Sequence, residues 1–332
     1  MNSNTFVLDN PKNVYVVAEA GINHNGSMSI PKQMIESAAK CGCDAVKFQT
    51  IFPEELFTSL NNPELFEMAK SWNFTKKQHI ELKNLCEELK IDFFSTPFGL
   101  KSAKLLVDID VKMIKIASGE LNNHELIGYI SKKHIPIILS TGFSTLSEIS
   151  QTVELIKSEK CPFAILHCNA SYPTPIEDLN LVNIQHLKTI FNTTIGFSDH
   201  SIGNEGSLAA VSLGAKIIEK HFTLDTKMPG PDQELSSDPK EFSDLIQKIR
   251  KIEKSFGKIR EGPTKSEEKF KQLMRKSVAS VKDIPSGTKI TNSMLKGVRP
   301  GTGISIDKKS TLVGLTIKKS IKKDEFFEWG MF

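Results

Sequence analysis

Lysine is rarely buried unless an anion pairs with it, yet this sequence sets Lys47 inside the apolar run AVKFQT and Lys115 inside MIKIAS. Hydroxyl donors end the second of these runs at Ser118 and follow three further runs at Thr96, Ser140 and Ser198. Lysine supplies charge and the hydroxyls supply orientation, a combination suited to a small substrate carrying phosphate and carboxylate. Other polar residues at run ends are Glu19, Asn23, His24 and Asn25, then Ser95, Thr141, His167 and Asn169. Lys47/Gln49, Ser118/Glu120 and Ser198/His200 are each spaced by two, which in a strand turns both members to one face. His200 and His221 both follow short β-like runs. Together they suggest a metal; either alone reads as a hydrogen-bonded core histidine.

These groups need a scaffold that gathers chain segments far apart in sequence. The apolar runs are 14–18, 45–46, 92–94, 113–116, 135–139, 163–166, 194–196 and 217–219, each leading into a helical stretch. Strands alternating with helices imply a parallel sheet, and about eight such units in roughly 250 residues imply a TIM (β/α)8 barrel, whose site forms at the C-terminal strand ends. Thr145 with Glu148 fits a capping box, as do Asp238, Pro239 and Glu241 for an N-cap and first turn. Phe242, Leu245, Ile246, Ile249, Ile252 and Phe256 then form an apolar stripe that packs on the barrel. Gly257 to Lys269 loses apolar content and gains Gly, Pro and charge, so the barrel domain is expected over 1–262, a connection over 263–275 and a small β-rich module over 276–332.

Composition excludes several classes. Apolar residues at 39% and charged residues at 25% describe an ordinary globular chain rather than a disordered one. The net charge of +4 divides into +6 for residues 276–332 (11 Lys/Arg against 5 Asp/Glu) and −2 for the rest, without a basic block, which argues against nucleic-acid binding. No run is long enough to span a membrane, and MNSNTFVLDNPKN lacks the features of a signal peptide, so a cytoplasmic protein is expected. Five cysteines without Cys-x-x-Cys spacing read as reduced thiols. No Gly-x-Gly-x-x-Gly or Walker-type lysine loop supports nucleotide binding.

The ordered motifs EAGINHNGS (19–27), AVKFQT (45–50), FFSTPF (93–98), IKIASGE (114–120), ILSTG (138–142), LHCNASYPTP (166–175), GFSDH (196–200), EKHFT (219–223) and PGPD (229–232) resemble the sialic acid synthase family. The tail, with DIPSGTKIT and GVRPGTGIS, resembles the antifreeze-like (SAF, β-clip) domain of those enzymes. The resemblance implies condensation of phosphoenolpyruvate with an N-acetylated hexose such as N-acetylmannosamine. It implies a divalent metal, manganese first with magnesium or cobalt as alternatives, on His200 and His221. Phosphoenolpyruvate would meet Lys47, Thr96, Lys115, Ser118, Ser140 and Ser198. The sugar would meet Gln49, Tyr172, Asp232 and Arg299, the last delivered by the partner of a domain-swapped homodimer. Glu120 is the first choice for proton transfer and Glu19 the second. Some members carry glutamate at the position of Asn25, which as an amide can contact the sugar but cannot exchange a proton. Others carry asparagine at the position of Ala170, and Asn169 is expected to serve phosphoenolpyruvate instead. Rival readings are a pseudaminate synthase acting on a diacetamido-trideoxy-altrose, a Schiff-base aldolase using Lys47 or Lys115, and a non-catalytic carbohydrate-binding protein.

Overall fold

The computed structural model describes residues 11–332; the first ten residues of the stretch read for a signal peptide lie outside them. Eight parallel strands close in sequence order into a barrel: β1 (Tyr15–Gly21), β2 (Ala45–Thr50), β3 (Asp92–Pro97), β4 (Ile114–Ile116), β5 (Ile137–Ser140), β6 (Phe163–Cys168), β7 (Thr194–Asp199) and β8 (Ile217–His221). Most strands run past the apolar residues that announce them. Backbone pairing continues through Gln49↔Thr96 between β2 and β3 and through Ser198↔Glu219 between β7 and β8. Several polar residues expected just past the apolar runs therefore sit in the barrel ladder itself.

Strand alternation separates two cores. Tyr15, Val17, Ala45, Phe94, Ile138, Leu166 and Ile217 fill the barrel interior, while Val16, Ala18, Val46 and Phe48 belong to the core shared with the helices. Those helices are α1 (Ser29–Cys41), α2 (Pro53–Leu56), α3 (Pro63–Trp72), α4 (Lys76–Glu88), α5 (Leu100–Asp108), α6 (His124–Lys132), α7 (Leu146–Ser158), α8 (Asn183–Phe191), α9 (Glu205–Ser212) and α10 (Pro239–Phe256). The expected capping box forms at Thr145 with Glu148 on α7, and the expected N-cap Asp238 forms one as well, with Glu241 on α10. On α10, Phe242, Leu245, Ile246 and Ile249 are buried, but Phe256 in the last turn is exposed.

The chain divides into two compact units between Gly257 and Lys258, earlier than residue 262. Much of the expected connection is helical: Thr264 and Glu267 form a capping box that starts α11 (Lys265–Met274), which belongs to the second unit. That unit pairs β9 (Ser277–Ser280) antiparallel with β10 (Leu295–Val298) and adds the one-turn helix α12 (Lys309–Leu312). The two echoing segments of the tail meet through the bridges Ile284↔Ile321 and Lys289↔Thr316, around a core of Val278, Ile290, Leu312 and Phe327. Among the described residues, no helix is long and apolar enough to cross a membrane.

Gly196 lies in β7 where a Cβ would come within 2.5 Å of both the Ile217 carbonyl oxygen and Leu166 Cδ2. Gly196→Ala should destabilise the barrel by about 1–3 kcal/mol through overpacking. Gly128→Ala in α6, where an added Cβ meets nothing within 4 Å, should instead stabilise by about 0.5–1 kcal/mol. Urea midpoints of the two variants should move in opposite directions.

Candidate active site

Above the apolar filling, the interior of the barrel changes character. The same face of β1 that carries Tyr15 and Val17 next presents Glu19; Ala45 is followed by Lys47, and Ile217 by Glu219. Lys47 Nζ lies 2.7 Å from Glu19 Oε2 and 3.8 Å from Glu219 Oε1, while Lys115 Nζ lies 3.2 Å from Glu219 Oε1. Lys47 Nζ also donates to Thr96 Oγ1 at 3.1 Å, Ser198 Oγ to Glu219 Oε1 at 3.1 Å, and Gln49 Nε2 to Glu19 Oε1 at 3.2 Å. Two lysines and two glutamates, each less than 5% exposed, thus form a charge-balanced layer. The Ser140 hydroxyl is buried beside it with no partner. These groups line a cavity of about 120 Å³ together with Ser118, Cys168, Tyr172, His200 and His221.

The layer sorts its acids and bases. Burial pushes the Glu219 carboxyl up, but Lys115 and then Lys47 outweigh it and leave it at about 2. Burial raises Glu19 and Glu219 adds to the rise, so that even the contact with Lys47 leaves a net upward shift. Burial acts to lower Lys47, but Glu19 and Glu219 reverse it and the net shift is upward. Lys115, lowered by burial and only partly restored by Glu219, ends below the usual lysine range. Glu219 is therefore the fixed anion and Glu19 the carboxyl able to hold a proton.

The histidines stand at the next level. Burial depresses His200 and His221 to about 4 each, so both imidazoles are neutral near pH 7. Their rings are 5.5 Å apart. His200 Nδ1 lies 2.8 Å from the Asn169 carbonyl, an acceptor only, so that nitrogen donates and Nε2 keeps its lone pair, 3.1 Å from the Tyr172 hydroxyl. His221 Nδ1 is buried without a hydrogen-bond partner, 3.9 Å from Asp232 Oδ2. Two neutral imidazoles with an orphaned ring nitrogen fit a divalent cation; among the described residues no group of three or more His, Cys, Asp or Glu side chains does so. Beneath the pair, Lys220 and Asp199 on the outer faces of β8 and β7 form a buried ion pair of 3.1 Å, closed by hydrogen bonds from Ser201 and Ser207, that ties the two histidine-bearing strands together.

Other predicted residues fall elsewhere. Glu120 lies on a 3-10 turn, Ser118–Glu120, so the two-residue strand argument does not hold for it. It is half-buried, its carboxylate accepts from Asn123 Nδ2 at 2.7 Å, and burial raises its pKa; it does not line the cavity. Asn25 has φ 50° and donates to the Pro229 carbonyl at 2.7 Å, pinning the PGPD loop that carries Asp232. Burial raises the Asp232 carboxyl to about 6. The Asn169 amide is spent on the Asp178 carbonyl and on Ser171. Arg299 is in the second unit, its Nε donating to the Met274 carbonyl at 2.8 Å. Asn23 and His24 do not line the cavity: Asn23 Nδ2 donates to the Phe222 carbonyl and to Ser236, and His24 stacks on Phe74 with ring centroids 4.0 Å apart. The residue missed in the sequence is Glu219, two before His221 and so on the same face of β8; ending the apolar run at Glu219 hid it.

Residues 34–261 match the NeuB family and residues 275–332 match the SAF domain. The chain is 38% identical to the N,N'-diacetyllegionaminic acid synthase of Campylobacter jejuni, over 95% of this chain and 98% of that one. It is 33% identical to the pseudaminic acid synthase of the same species, over 97% of each. The crystal structure of N-acetylneuraminic acid synthetase from Leptospira borgpetersenii in complex with citrate, at 39% identity, superposes with a TM-score of 0.74 over 77% of this chain and 90% of that one.

Proposed function

The chain belongs to the NeuB family and is a synthase of nonulosonic acids, and we propose that it condenses phosphoenolpyruvate with N-acetylmannosamine or a related N-acetylated hexose, giving a nine-carbon keto acid and phosphate. The observation that carries this reading is the buried two-lysine layer with the unpartnered Ser140 hydroxyl, directly below two neutral histidines. An arriving phosphate and carboxylate would compete with Glu19 and Glu219 for Lys47 and Lys115, and take hydrogen bonds from Thr96, Ser118, Ser140 and Ser198. Gln49, Tyr172 and Asp232 would orient the sugar. Asn25 would act through the loop it pins, and Asn169 through its carbonyl on His200.

His200 and His221 would hold a divalent metal, manganese first with magnesium or cobalt as alternatives, and when bound it supplies Lewis-acid polarisation of the sugar aldehyde. C3 of phosphoenolpyruvate attacks the aldehyde carbon. Glu219, permanently ionised, offsets positive charge developing at C2. Glu19, raised by burial, takes one proton of the water that adds there and returns it to the former aldehyde oxygen, which becomes the new hydroxyl; the tetrahedral centre then expels phosphate, which leaves with the second proton as C2 becomes a carbonyl. Glu120, whose carboxylate is held by Asn123, ranks second.

Two further readings belong to the same proposal. The acceptor alternative is the diacetamido-trideoxy-altrose of a pseudaminate synthase, since both kinds of relative match along the chain. A homodimer in which Arg299 reaches the partner's sugar site is supported by α11, where no residue is buried and Phe270, Leu273 and Met274 expose an apolar face. Free cysteines, three-dimensionally unpaired, agree with a cytoplasmic setting.

With manganese, phosphoenolpyruvate and each acceptor in turn, phosphate and keto acid should appear together and chelator should stop both; turnover with none of the acceptors would sink the reading. Chelator-resistant activity with a borohydride-trapped pyruvate adduct would point to the Schiff-base aldolase. Glu19→Gln should cost on the order of 100-fold or more in kcat and Glu120→Gln on the order of tenfold; the reverse order would return the proton to Glu120. Mixing inactive Arg299→Ala with inactive Glu19→Gln should restore part of the activity if Arg299 acts across the dimer, because one intact site re-forms. No recovery on mixing places Arg299 in its own subunit's site or outside any.

A further inference from the structure

The loop between β8 and α10 carries Asp232 on backbone that does little to hold itself. Its ends are tied, Thr223 N–H to the Ser237 carbonyl at 3.1 Å and Ser237 N–H to the His221 carbonyl at 2.9 Å. Residues 229–232 make no backbone-to-backbone hydrogen bond among the described residues. Yet the Asp232 side chain is only 25% exposed, and its Oδ2 is placed 3.9 Å from His221 Nδ1.

Side chains of the loop after β1 supply the missing hold. Asn23 and Gln233 are each 1% exposed, and burying an amide is costly unless it is hydrogen-bonded. Asn23 Nδ2 donates both its protons, to the Phe222 carbonyl and to Ser236 Oγ, each at 2.9 Å. Ser236 Oγ in turn donates to the Asp232 carbonyl at 2.6 Å. Gln233 Nε2 donates to the Asn23 carbonyl at 2.8 Å, and Gln233 Oε1 accepts from the Thr223 hydroxyl. Of the two amides only Asn23 Oδ1 is left without a partner. Gly230 leaves the clamp no slack: at φ 145°, a Cβ there would come within 2.9 Å of Asn25 Oδ1 and 3.1 Å of Gln233 Cγ.

One end of this chain of bonds falls on Phe222, directly after His221, and the other on the backbone of Asp232. The network therefore sets the separation of the two side chains that face each other across the site. We propose that Asn23, Ser236 and Gln233 are positioning residues that fix Asp232 beside His221, and that acceptor affinity depends on them although none of the three lines the reaction cavity. This rests on the synthase reading above, in which Asp232 orients the sugar. Phosphoenolpyruvate would not sense the clamp, because Lys47 and Lys115 stand on β2 and β4, whose backbones are held by the barrel ladder.

The test measures both Michaelis constants and amide exchange in Gln233→Ala and in the milder Ser236→Ala. Gln233→Ala should raise KM for the acceptor about tenfold or more and Ser236→Ala about threefold or more, while KM for phosphoenolpyruvate stays within about twofold of wild type. Both constants rising together, or neither changing, overturns the proposal. Hydrogen–deuterium exchange reads the clamp without turnover: peptides spanning 224–237 should exchange about tenfold faster in either variant, with peptides from β2 and β4 unchanged. Exchange that keeps the wild-type rate in the loop, or that rises throughout the barrel, overturns the positioning role. Wild-type protein that turns over none of the acceptors overturns the synthase reading alone, and the exchange result then decides the clamp. Where Gln233→Ala does not fold, Ser236→Ala, which removes a single hydroxyl, carries both readouts.

Discussion

Four charged groups removed from water must balance, and the barrel interior is built around that requirement. Lys47 is flanked by Glu19 and Glu219, and Glu219 is shared with Lys115. Deleting one partner of such a pair leaves an uncompensated buried charge at a cost of about 3–5 kcal/mol. An all-apolar layer would serve stability as well or better. A charged layer at the C-terminal end of the barrel strands is therefore accounted for by the cavity it lines and not by stability.

The arrangement also separates jobs among similar groups. Glu19 and Glu219 are both carboxyls in the same layer, yet two lysine contacts hold Glu219 ionised while burial and its neighbour raise Glu19. His200 and His221 are kept neutral by burial, which preserves the lone pairs that a cation needs. The Lys220–Asp199 pair on the opposite face of the same strands is fully hydrogen-bonded and holds β7 and β8 in register. Alternation along each strand thus puts chemistry on one side and its mechanical support on the other.

Loops at the rim are held by contacts between neighbouring units. The contact of Gly142 with Ser118 fixes the loop after β5 to the turn after β4, and that of Gln233 with Asn23 fixes the loop after β8 to the loop after β1.

Much was legible from the residues in order. Apolar runs alternating with capped helices gave the barrel, and Lys47, Lys115, Thr96, Ser140, Ser198, His200 and His221 could be named because buried lysines and paired imidazoles are rare enough to be informative. Glu219 escaped because a charged residue at the end of an apolar run reads as the first exposed position, when the ladder in fact continues to His221. For Glu120 the strand argument does not apply, because spacing by two has meaning only in a strand and after Ile116 the chain turns. Asn25 and Asn169 show a third limit, since an amide's partners lie on loops remote in sequence. What the sequence determined by itself was the alternation of elements and the supply of charged and hydroxylic groups, both properties of local chemistry and spacing. Only the tertiary structure decided which carboxyl pairs with which lysine, which histidine nitrogen is left bare and what holds Asp232, because those depend on distances across the closed barrel that no spacing along the chain encodes.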